Sequence, residues 1–370
     1  MRHSSSLEVH LGLLAENFEL IKKMAPKAEV LPMVKADAYG NGIHQISDFL
    51  INQCHVKTLG CASLGEALSL RSSLKFQDQK ILVFSETSFE DDQLGKNYLD
   101  SRIIPVIHQK SDLDIILNSS DFSKVPLVIK VNTGMNRLGL TLEDLDFFIP
   151  QLKSRGIKHL MTHFARSSER IKKDDKTNRQ YDEFKKIQKF LSDSGVSVEE
   201  TSVSNSGAIE QHFGLDETYV RPGLMLYGPP SVNDPFIWKG HQISRWTTRV
   251  LSTFEVKKGT PVGYGVNVAD KDSFMAVLPI GYGDGFLTYY SGISVRTHGL
   301  VGKIFGRVNM DMTFVQFDPS ASSLIGKGDV FEIWNHDNST IADMASQTKT
   351  HAYQIMCAVS SRIPRIYKVK

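Results

Sequence analysis

The chain has 370 residues, of which 41% are hydrophobic and 23% are charged. Because this length exceeds the usual range of a single domain, we expect two domains. The 43 basic and 41 acidic side chains leave a formal net charge of +2, which provides no bulk field to attract nucleic acid or an anionic membrane.

The cysteines and histidines exclude further classes of protein. Cys54, Cys61 and Cys357 form an odd set without a CxxC spacing, which argues against a disulfide framework or a zinc site. The histidines form no HExxH-type cluster, so we expect no catalytic metal. We see no secretory signal, and no run approaches the ~18 apolar residues of a membrane span. These features predict a soluble cytoplasmic protein.

In the first part of the chain, short apolar runs alternate with amphipathic segments. Helical spacing first appears at Leu11–Ile21, and it recurs at Gly65–Leu70, Asp112–Leu117 and Tyr181–Leu191. The strand candidates are Val30–Val34, Thr58–Cys61, Ile81–Phe84, Ile103–Ile107, Leu127–Val131, His159–Thr162, Glu200–Val203 and Tyr219–Leu226. Eight strands that alternate with helices predict a closed (β/α)8 barrel, similar to a TIM barrel, rather than an open doubly wound sheet.

The pattern changes near Pro229. The run Pro229–Pro235 is typical of a linker. After it, glycine turns separate the β-favouring segments Arg249–Val256, Phe274–Ile280, Ile293–Thr297, Lys303–Val308, Thr313–Phe317 and Val330–Trp334. We therefore predict a barrel over residues 9–235 and a mainly β C-terminal domain over residues 236–370, with residues 1–8 as a candidate addition to the second domain.

Polar side chains follow several of the predicted barrel strands. In such barrels the working face lies at the carboxyl ends of the strands. Within or just after these strands lie Lys35 and Tyr39, Lys130 and Arg137, His163, the run Ser204–Ala208, and Arg221 with Gly223. Two lysines, two arginines, a histidine and a loop of small residues are thus expected at one mouth.

The run Ser204–Ala208 has the chemistry of an anion-binding loop. Ser206 offers a hydroxyl, and Gly207 lets a ligand approach the backbone closely. Such runs are more often ordinary helix caps. Its position after the seventh strand, with Gly223 after the eighth, matches the usual phosphate site of β/α barrels.

Nine segments together resemble the alanine racemases, which depend on pyridoxal 5'-phosphate (PLP). They are Val34–Gly40, Lys130–Gly139, Thr162–Ala165, Ser204–Ser206, Val220–Gly228, Pro261–Gly265, Pro279–Gly285, Gly306–Asp311 and Arg362–Arg365. The resemblance implies a fold type III enzyme that interconverts L-alanine and D-alanine and supplies D-alanine for bacterial peptidoglycan. It also implies a head-to-tail homodimer with shared active sites.

The resemblance assigns two proton-transferring groups. Lys35 would hold PLP covalently and then act as one base at Cα. Tyr264, contributed by the partner subunit, would act on the opposite face. A tyrosine has an ordinary pKa of about 10, so this pKa must be lowered for Tyr264 to act as a base near neutral pH.

Arg221 is the residue from which we expect the enzyme to favour racemisation over transamination. By resemblance it faces the pyridine nitrogen of PLP, where many PLP enzymes place a carboxylate. A guanidinium does not readily give up a proton to that nitrogen. The cofactor is then a weaker electron sink, which disfavours transamination.

The remaining roles also follow from the resemblance. Tyr39, Asn205, Ser206, Gly223, Leu224 and Tyr353 would bind the cofactor, chiefly its phosphate, and His163 would lie under its ring. Arg137 and the Met310 backbone N–H would bind the substrate carboxylate. Tyr282, Arg307 and Tyr353 would line a narrow entrance, and Lys130 matches a lysine that is carbamylated in some members.

The chain departs from the family pattern at three points. Asn132 stands where Asp is frequent, Asn136 replaces a small residue, and Phe286–Thr288 stands where an entrance arginine is common. Two alternatives stay open, a racemase of broader specificity for serine or basic amino acids and a fold type III decarboxylase. A PLP carrier without catalytic activity is a third class, which the length and Tyr264 disfavour.

Overall fold

The computed structural model describes residues 4–73, 78–87, 89, 92–232, 238–336 and 340–369. Its strands are β1 Ser5–His10, β2 Glu29–Val30, β3 Thr58–Cys61, β4 Lys80–Val83, β5 Ile104–Ile107, β6 Val128–Lys130, β7 Ile157–Met161, β8 Val198–Asn205, β9 Tyr219–Arg221, β10 Ser244–Arg249, β11 Ser252–Val256, β12 Ser273–Leu278, β13 Ser294–Thr297, β14 Leu300–Phe305, β15 Thr313–Phe317, β16 Val330–Trp334 and β17 Arg365–Lys368.

The α-helices are α1 Leu11–Met24, α2 Lys35–Tyr39, α3 Ile43–Cys54, α4 Leu64–Ser72, α5 Asp92–Asp100, α6 Lys110–Asn118, α7 Leu142–Phe147, α8 Ile149–Arg155, α9 Lys176–Asp193, α10 Ser206–Glu210, α11 Ile341–Thr348 and α12 Ala352–Ala358. No described helix is both long and apolar enough to cross a membrane.

Eight parallel strands form the predicted barrel. They are hydrogen-bonded in the order β2-β9-β8-β7-β6-β5-β4-β3, and a parallel bridge from Met33 to Gly60 connects the two edges. All residues of β3 and β5 are buried, as expected for parallel strands that are covered on both faces. The expectation of a TIM-like barrel followed by a mainly β domain is confirmed.

Proline shortens the first and the last barrel strand relative to the prediction. Regular pairing of β2 ends at Val30, although the Met33 N–H still donates to the Pro222 carbonyl at 2.9 Å. The last strand ends at Arg221, because Pro222 has no N–H to donate, and a 3-10 turn follows at Leu224–Tyr227.

The second domain contains two sheets. One has the strand order β16-β10-β1-β17 and the other the order β11-β12-β15-β14-β13. The segment predicted as a single strand, Arg249–Val256, is divided between them, because regular strand pairing is interrupted at Val250 and Leu251. Strands β1 and β17 were not predicted as strands.

The N-terminal strand lies in the sheet of the second domain. β1 pairs antiparallel with β10, where Leu7 faces Trp246, and parallel with β17, where Leu7 faces Arg365. The predicted domain boundary at residues 235 and 236 lies outside the described residues, so that division stays a prediction.

Candidate active site

A cavity of about 470 Å³ opens at the carboxyl ends of the barrel strands. It is lined by Met33, Lys35, Tyr39, Phe84, Ser85, Lys130, Arg137, Leu138, His163, Asn205, Ser206, Arg221, Gly223 and Tyr353. Ten residues proposed from the sequence are therefore brought together. No carboxylate is among the described residues that line this cavity, so its charge is strongly positive.

Lys35 begins an unusual turn. Ala36, Asp37, Ala38 and Tyr39 all have φ between 52° and 55°, in the left-handed region that side chains other than glycine rarely adopt. Such a turn costs on the order of 1 kcal/mol per residue, so other contacts must hold it.

Carboxylates and the second domain hold this turn. The Ala36 N–H donates to Glu66 Oε1 at 2.6 Å, and the Ile43 N–H donates to Asp37 Oδ1 at 2.8 Å. From the second domain, Arg365 Nε donates to the Gly40 carbonyl at 3.1 Å. The position of Lys35 therefore depends on both domains.

Two lysines in the cavity have lowered pKa values. Burial, and then the charge of Arg137, lowers the pKa of Lys35. Burial, followed by the charges of Arg137, Arg221 and Lys35, lowers the pKa of Lys130 to about 8. Both changes favour the neutral amine, which is the nucleophilic and basic form of lysine.

Asn132 and Asn136, which depart from the family pattern, stabilise the loop that carries Arg137. Asn132 Nδ2 donates to Asn136 Oδ1 at 3.0 Å, and Asn132 Oδ1 accepts from the Gly134 and Asn136 N–H groups at 3.0 and 3.1 Å. Asn136 has φ 57°, which asparagine tolerates better than most side chains. The two asparagines thus hold this loop together by hydrogen bonds within it.

The phosphate-type loop joins the last two barrel strands. Ser206 Oγ accepts from the Gly223 N–H at 2.9 Å. A Cβ at Gly223 would lie 2.2 Å from Tyr39 Oη, so this position needs glycine. The ring of Tyr39 in turn lies 5.8 Å from that of Tyr353, which extends from α12 of the second domain.

Arg221 is fully buried beneath the mouth of the cavity. Its guanidinium donates to Ser202 Oγ, to the Thr162 carbonyl at 2.5 Å and to the Val203 carbonyl at 3.2 Å, all of them neutral oxygens. Burial lowers its pKa to about 10, which still keeps it charged at neutral pH.

His163 lies in the same cavity, and its Nε2 is 3.4 Å from Asn205 Nδ2. Burial and the charge of Arg221 lower its pKa well below the ordinary value. His163 is therefore neutral where Arg221 is charged.

Five of the proposed residues do not line this cavity. Tyr264, Tyr282, Arg307 and Met310 are exposed on the second domain, with 71% exposure for Tyr264 and 53% for Met310. Leu224 follows Gly223 in the 3-10 turn and is buried in the core. The roles of all five stay predictions.

The second-domain motifs nevertheless pack against one another. The Gly283 N–H donates to the Met310 carbonyl at 2.9 Å, and Arg362 forms ion pairs with Asp284 at 3.3 Å and Asp311 at 2.8 Å. A Cβ at Gly281 would lie 2.2 Å from the Asn309 carbonyl oxygen. Three separate sequence motifs therefore form one surface region.

Sequence reasoning missed several residues at the cavity. Met33, Phe84, Ser85 and Leu138 line it without distinctive chemistry. Glu66 had a recognisable signal, because Ser63–Glu66 has the spacing of a capping box at the start of α4.

The cavity fits PLP. Lys35 supplies an amine, Ser206 and Gly223 line the cavity side by side, and the cations match a phosphate and a carboxylate. Among the described residues, no three histidine, cysteine, aspartate or glutamate side chains are grouped to hold a metal ion.

Comparisons with known proteins identify the family. Residues 9–230 match the model of the alanine racemase N-terminal domain, and residues 243–367 match that of the C-terminal domain. Alanine racemases from Mannheimia succiniciproducens and Halothermothrix orenii are 30% and 32% identical, covering 97% and 98% of this chain and 98% and 96% of theirs.

Solved structures show the same fold. A Bartonella henselae alanine racemase with covalently bound pyridoxal phosphate is 25% identical and superimposes with a TM-score of 0.87, covering 99% of this chain and all of that one. An Acinetobacter baumannii alanine racemase is 27% identical with a TM-score of 0.84, again covering 99% and 100% of the two chains. The chain therefore belongs to the alanine racemase family.

Proposed function

We propose that this protein interconverts L-alanine and D-alanine with PLP bound in the cavity around Lys35. The observation that carries the proposal is the convergence of Lys35, Arg137, Arg221 and the Ser206–Gly223 loop on one cavity, in a chain that matches the racemase family over both domains. PLP, when bound, withdraws electrons from the amino acid, so that its Cα proton can be removed.

Lys35 is one of the two proton-transferring groups. Burial and the charge of Arg137 lower the pKa of Lys35, which shifts its protonation equilibrium toward the neutral amine. With PLP and substrate bound, the free Lys35 amine would take a proton from Cα on its own face or return one to it. Racemisation also requires a second group on the opposite face.

Tyr264 of a second copy of the chain is that second group. Within one chain Tyr264 is 71% exposed and does not line the cavity, and the neighbouring Val266 is 96% exposed. Exposed aromatic and aliphatic side chains at one place mark a contact surface. A head-to-tail homodimer brings this surface over the mouth of the partner's barrel.

The other residues bind and orient the cofactor and the substrate. Arg137 binds the substrate carboxylate with the Met310 backbone N–H, and Tyr39, Asn205, Ser206, Gly223, Leu224 and Tyr353 hold the cofactor, chiefly its phosphate. His163 would lie under the ring, and Tyr282, Arg307 and Tyr353 would narrow the entrance. Arg221 would face the pyridine nitrogen and, as a charged donor, would leave it unprotonated.

The direct test is a chiral assay of the purified protein with added PLP. L-alanine should become a mixture of both enantiomers, while L-serine and L-lysine should react more slowly. Lys35→Ala should lose at least about a thousandfold in rate, because it removes both the attachment point and a base. Racemisation of L-lysine or L-serine at the rate of L-alanine would favour the broader-specificity alternative, and release of CO2 the decarboxylase.

Tyr264→Phe tests the second base. The variant should slow Cα proton removal from one alanine enantiomer far more than from the other, because only one enantiomer presents its proton to that face. Deuterium wash-in from each enantiomer measures the two rates separately. Equal and small effects on both would reject Tyr264 as a base.

Lys130 is proposed to carry a carbamate. The structure surrounds a buried amine with three cations, and its lowered pKa of about 8 makes the neutral amine available to CO2. In this reaction the amine nitrogen bonds to carbon, one proton is released, and the resulting anion pairs with Arg137. Native mass spectrometry in bicarbonate buffer should show one added CO2 that Lys130→Arg lacks; an unmodified wild type would dismiss the proposal.

We also place the enzyme in the cytoplasm, since all three cysteines are free thiols, as expected in a reducing compartment. Cell fractionation with an antibody against the protein tests this location.

A further inference from the structure

The partners of Arg221 extend beyond the cavity into the barrel interior. Arg221 Nη1 donates to Ser202 Oγ, and the same oxygen lies 2.8 Å from His159 Nε2. Ser202 is fully buried in β8, and His159 is buried in β7. The three residues come from three adjacent strands, since β7 pairs with β8 and β8 with β9.

Hydrogen-bond chemistry fixes the direction of the Arg221–Ser202 contact and allows Ser202 to donate to His159. A guanidinium can only donate, so Ser202 Oγ must accept from Arg221. The serine hydroxyl then has its own proton to donate, and His159 Nε2 lies within reach. This requires a neutral imidazole with its proton on Nδ1. Burial and the charge of Arg221 lower the pKa of His159 to about 3, so the ring is neutral at physiological pH.

His159 is itself fixed by packing. Its ring stacks on Tyr219, with a centroid distance of 5.2 Å and an interplanar angle of 30°. Tyr219 lies two residues before Arg221 on β9, so both side chains point to the same face of the strand. Tyr219 therefore holds the ring that accepts from Ser202.

We propose that Ser202 and His159 are positioning residues that aim the Arg221 guanidinium at the pyridine nitrogen of PLP. The remaining partners of Arg221 are the Thr162 and Val203 carbonyls, which both bond Nη2. Without the Ser202–His159 pair, Nη1 loses an acceptor and the guanidinium can rotate. A displaced Arg221 leaves the nitrogen free to be protonated by water, which strengthens the electron sink. The inference rests on the proposed PLP-dependent function.

The test compares substitutions that remove or retain the acceptors. Ser202→Ala removes both contacts, His159→Met removes the ring acceptor at similar length, and His159→Gln retains an acceptor oxygen. Thr201→Val is the matched control, because Thr201 precedes Ser202 on the same strand and its hydroxyl donates to Glu217 Oε2 instead. It should lower stability without affecting Arg221.

Two readouts distinguish positioning from a general structural role. One is the visible absorption band of bound PLP without substrate. The other is the fraction of racemisation events in which PLP is converted to its amine form, which we call the cofactor loss. Ser202→Ala and His159→Met should shift the band and raise this loss about tenfold, the effect expected from one buried hydrogen bond. His159→Gln and Thr201→Val should stay within about twofold of the wild type.

The outcomes separate the two proposals. If Ser202→Ala and His159→Met bind PLP with an unchanged band and an unchanged loss ratio, the positioning role is overturned. If the wild type binds PLP but racemises no amino acid, the proposed function fails, and the absorption band still tests the Ser202–His159 pair. Should Ser202→Ala not fold, Ser202→Cys, which has a similar volume and a weak acceptor, serves in its place.

Discussion

Glu210 links the phosphate-type loop to the start of the segment between the domains. It ends α10, the helix that begins at Ser206, and it is 1% exposed. Its carboxylate accepts from the Ser231 N–H at 2.8 Å and from the Val232 N–H at 2.8 Å. Burial nevertheless dominates and raises its pKa to about 7 from an ordinary 4.5.

This raised pKa predicts a pH-dependent stability. The folded protein binds the Glu210 proton more tightly than the unfolded chain does, so the contribution is fully present below about pH 4.5 and is lost as the pH rises through about 7. In Glu210→Gln the urea midpoint should therefore fall less between about pH 6 and pH 8 than in the wild type. Parallel pH profiles for the two proteins would contradict the prediction.

Single residues differ in how far the sequence reveals them. Lys35, Arg137 and Arg221 stand in motifs that follow strands, so their convergence could be predicted from the barrel alone. Ser202 and His159 could not be identified in this way, because each is an ordinary strand residue. Their contact exists only because the barrel places β7, β8 and β9 side by side.

Glu66 connects the start of helix α4 to the turn that follows Lys35. It completes the capping box of α4 with Ser63, and its other oxygen accepts from the Ala36 N–H in the left-handed turn after Lys35. One carboxylate thus stabilises both a helix end and the strained turn.

Glu66→Ala should therefore have two effects. Loss of the cap should cost about 1 kcal/mol of stability, and release of the Ala36 N–H should weaken PLP binding and lower kcat. Asp144→Ala is the matched control, because Asp144 completes the capping box of α7 with bonds to Thr141 in the same turn. Denaturant unfolding and PLP titration of both variants provide the comparison. Equal PLP affinity in the two variants would reject the link to Lys35.

Helices and strands could be predicted where the surrounding sequence carries a signal for them. Thr58–Cys61, Thr313–Phe317 and Val330–Trp334 were predicted with the observed bounds, because apolar or alternating runs are bounded there by polar turns. β1 and β17 were missed because their pairing partners lie at the far end of the sequence. The left-handed turn after Lys35 has no sequence signal, since Ala and Tyr rarely adopt it.

At the scale of the whole molecule, the proposed active site needs two chains. Lys35 lies inside the barrel and Tyr264 lies exposed on the second domain of the same chain. A hybrid of Lys35→Ala and Tyr264→Phe chains tests whether they act across subunits. Each heterodimer would contain one intact site, so unfolding and refolding an equal mixture should restore about a quarter of the wild-type activity.

Each variant refolded alone is the control for this experiment. Both should show little or no net racemisation in either direction, because each conversion needs one base to remove the Cα proton and the other to deliver one. A mixture no more active than the sum of its components would show that the two groups do not act across subunits.

The placement of β1 between β10 and β17 has a consequence for biosynthesis. The ribosome releases residues 5–10 long before residues 365–368, yet these two segments are neighbours in the sheet. The barrel can form while translation continues. One edge of β1 can pair with β10 once residues 244–249 have been synthesised, but its other edge stays unpaired until residues 365–368 follow. A nascent protein stalled before that point would expose this unpaired strand edge to chaperones.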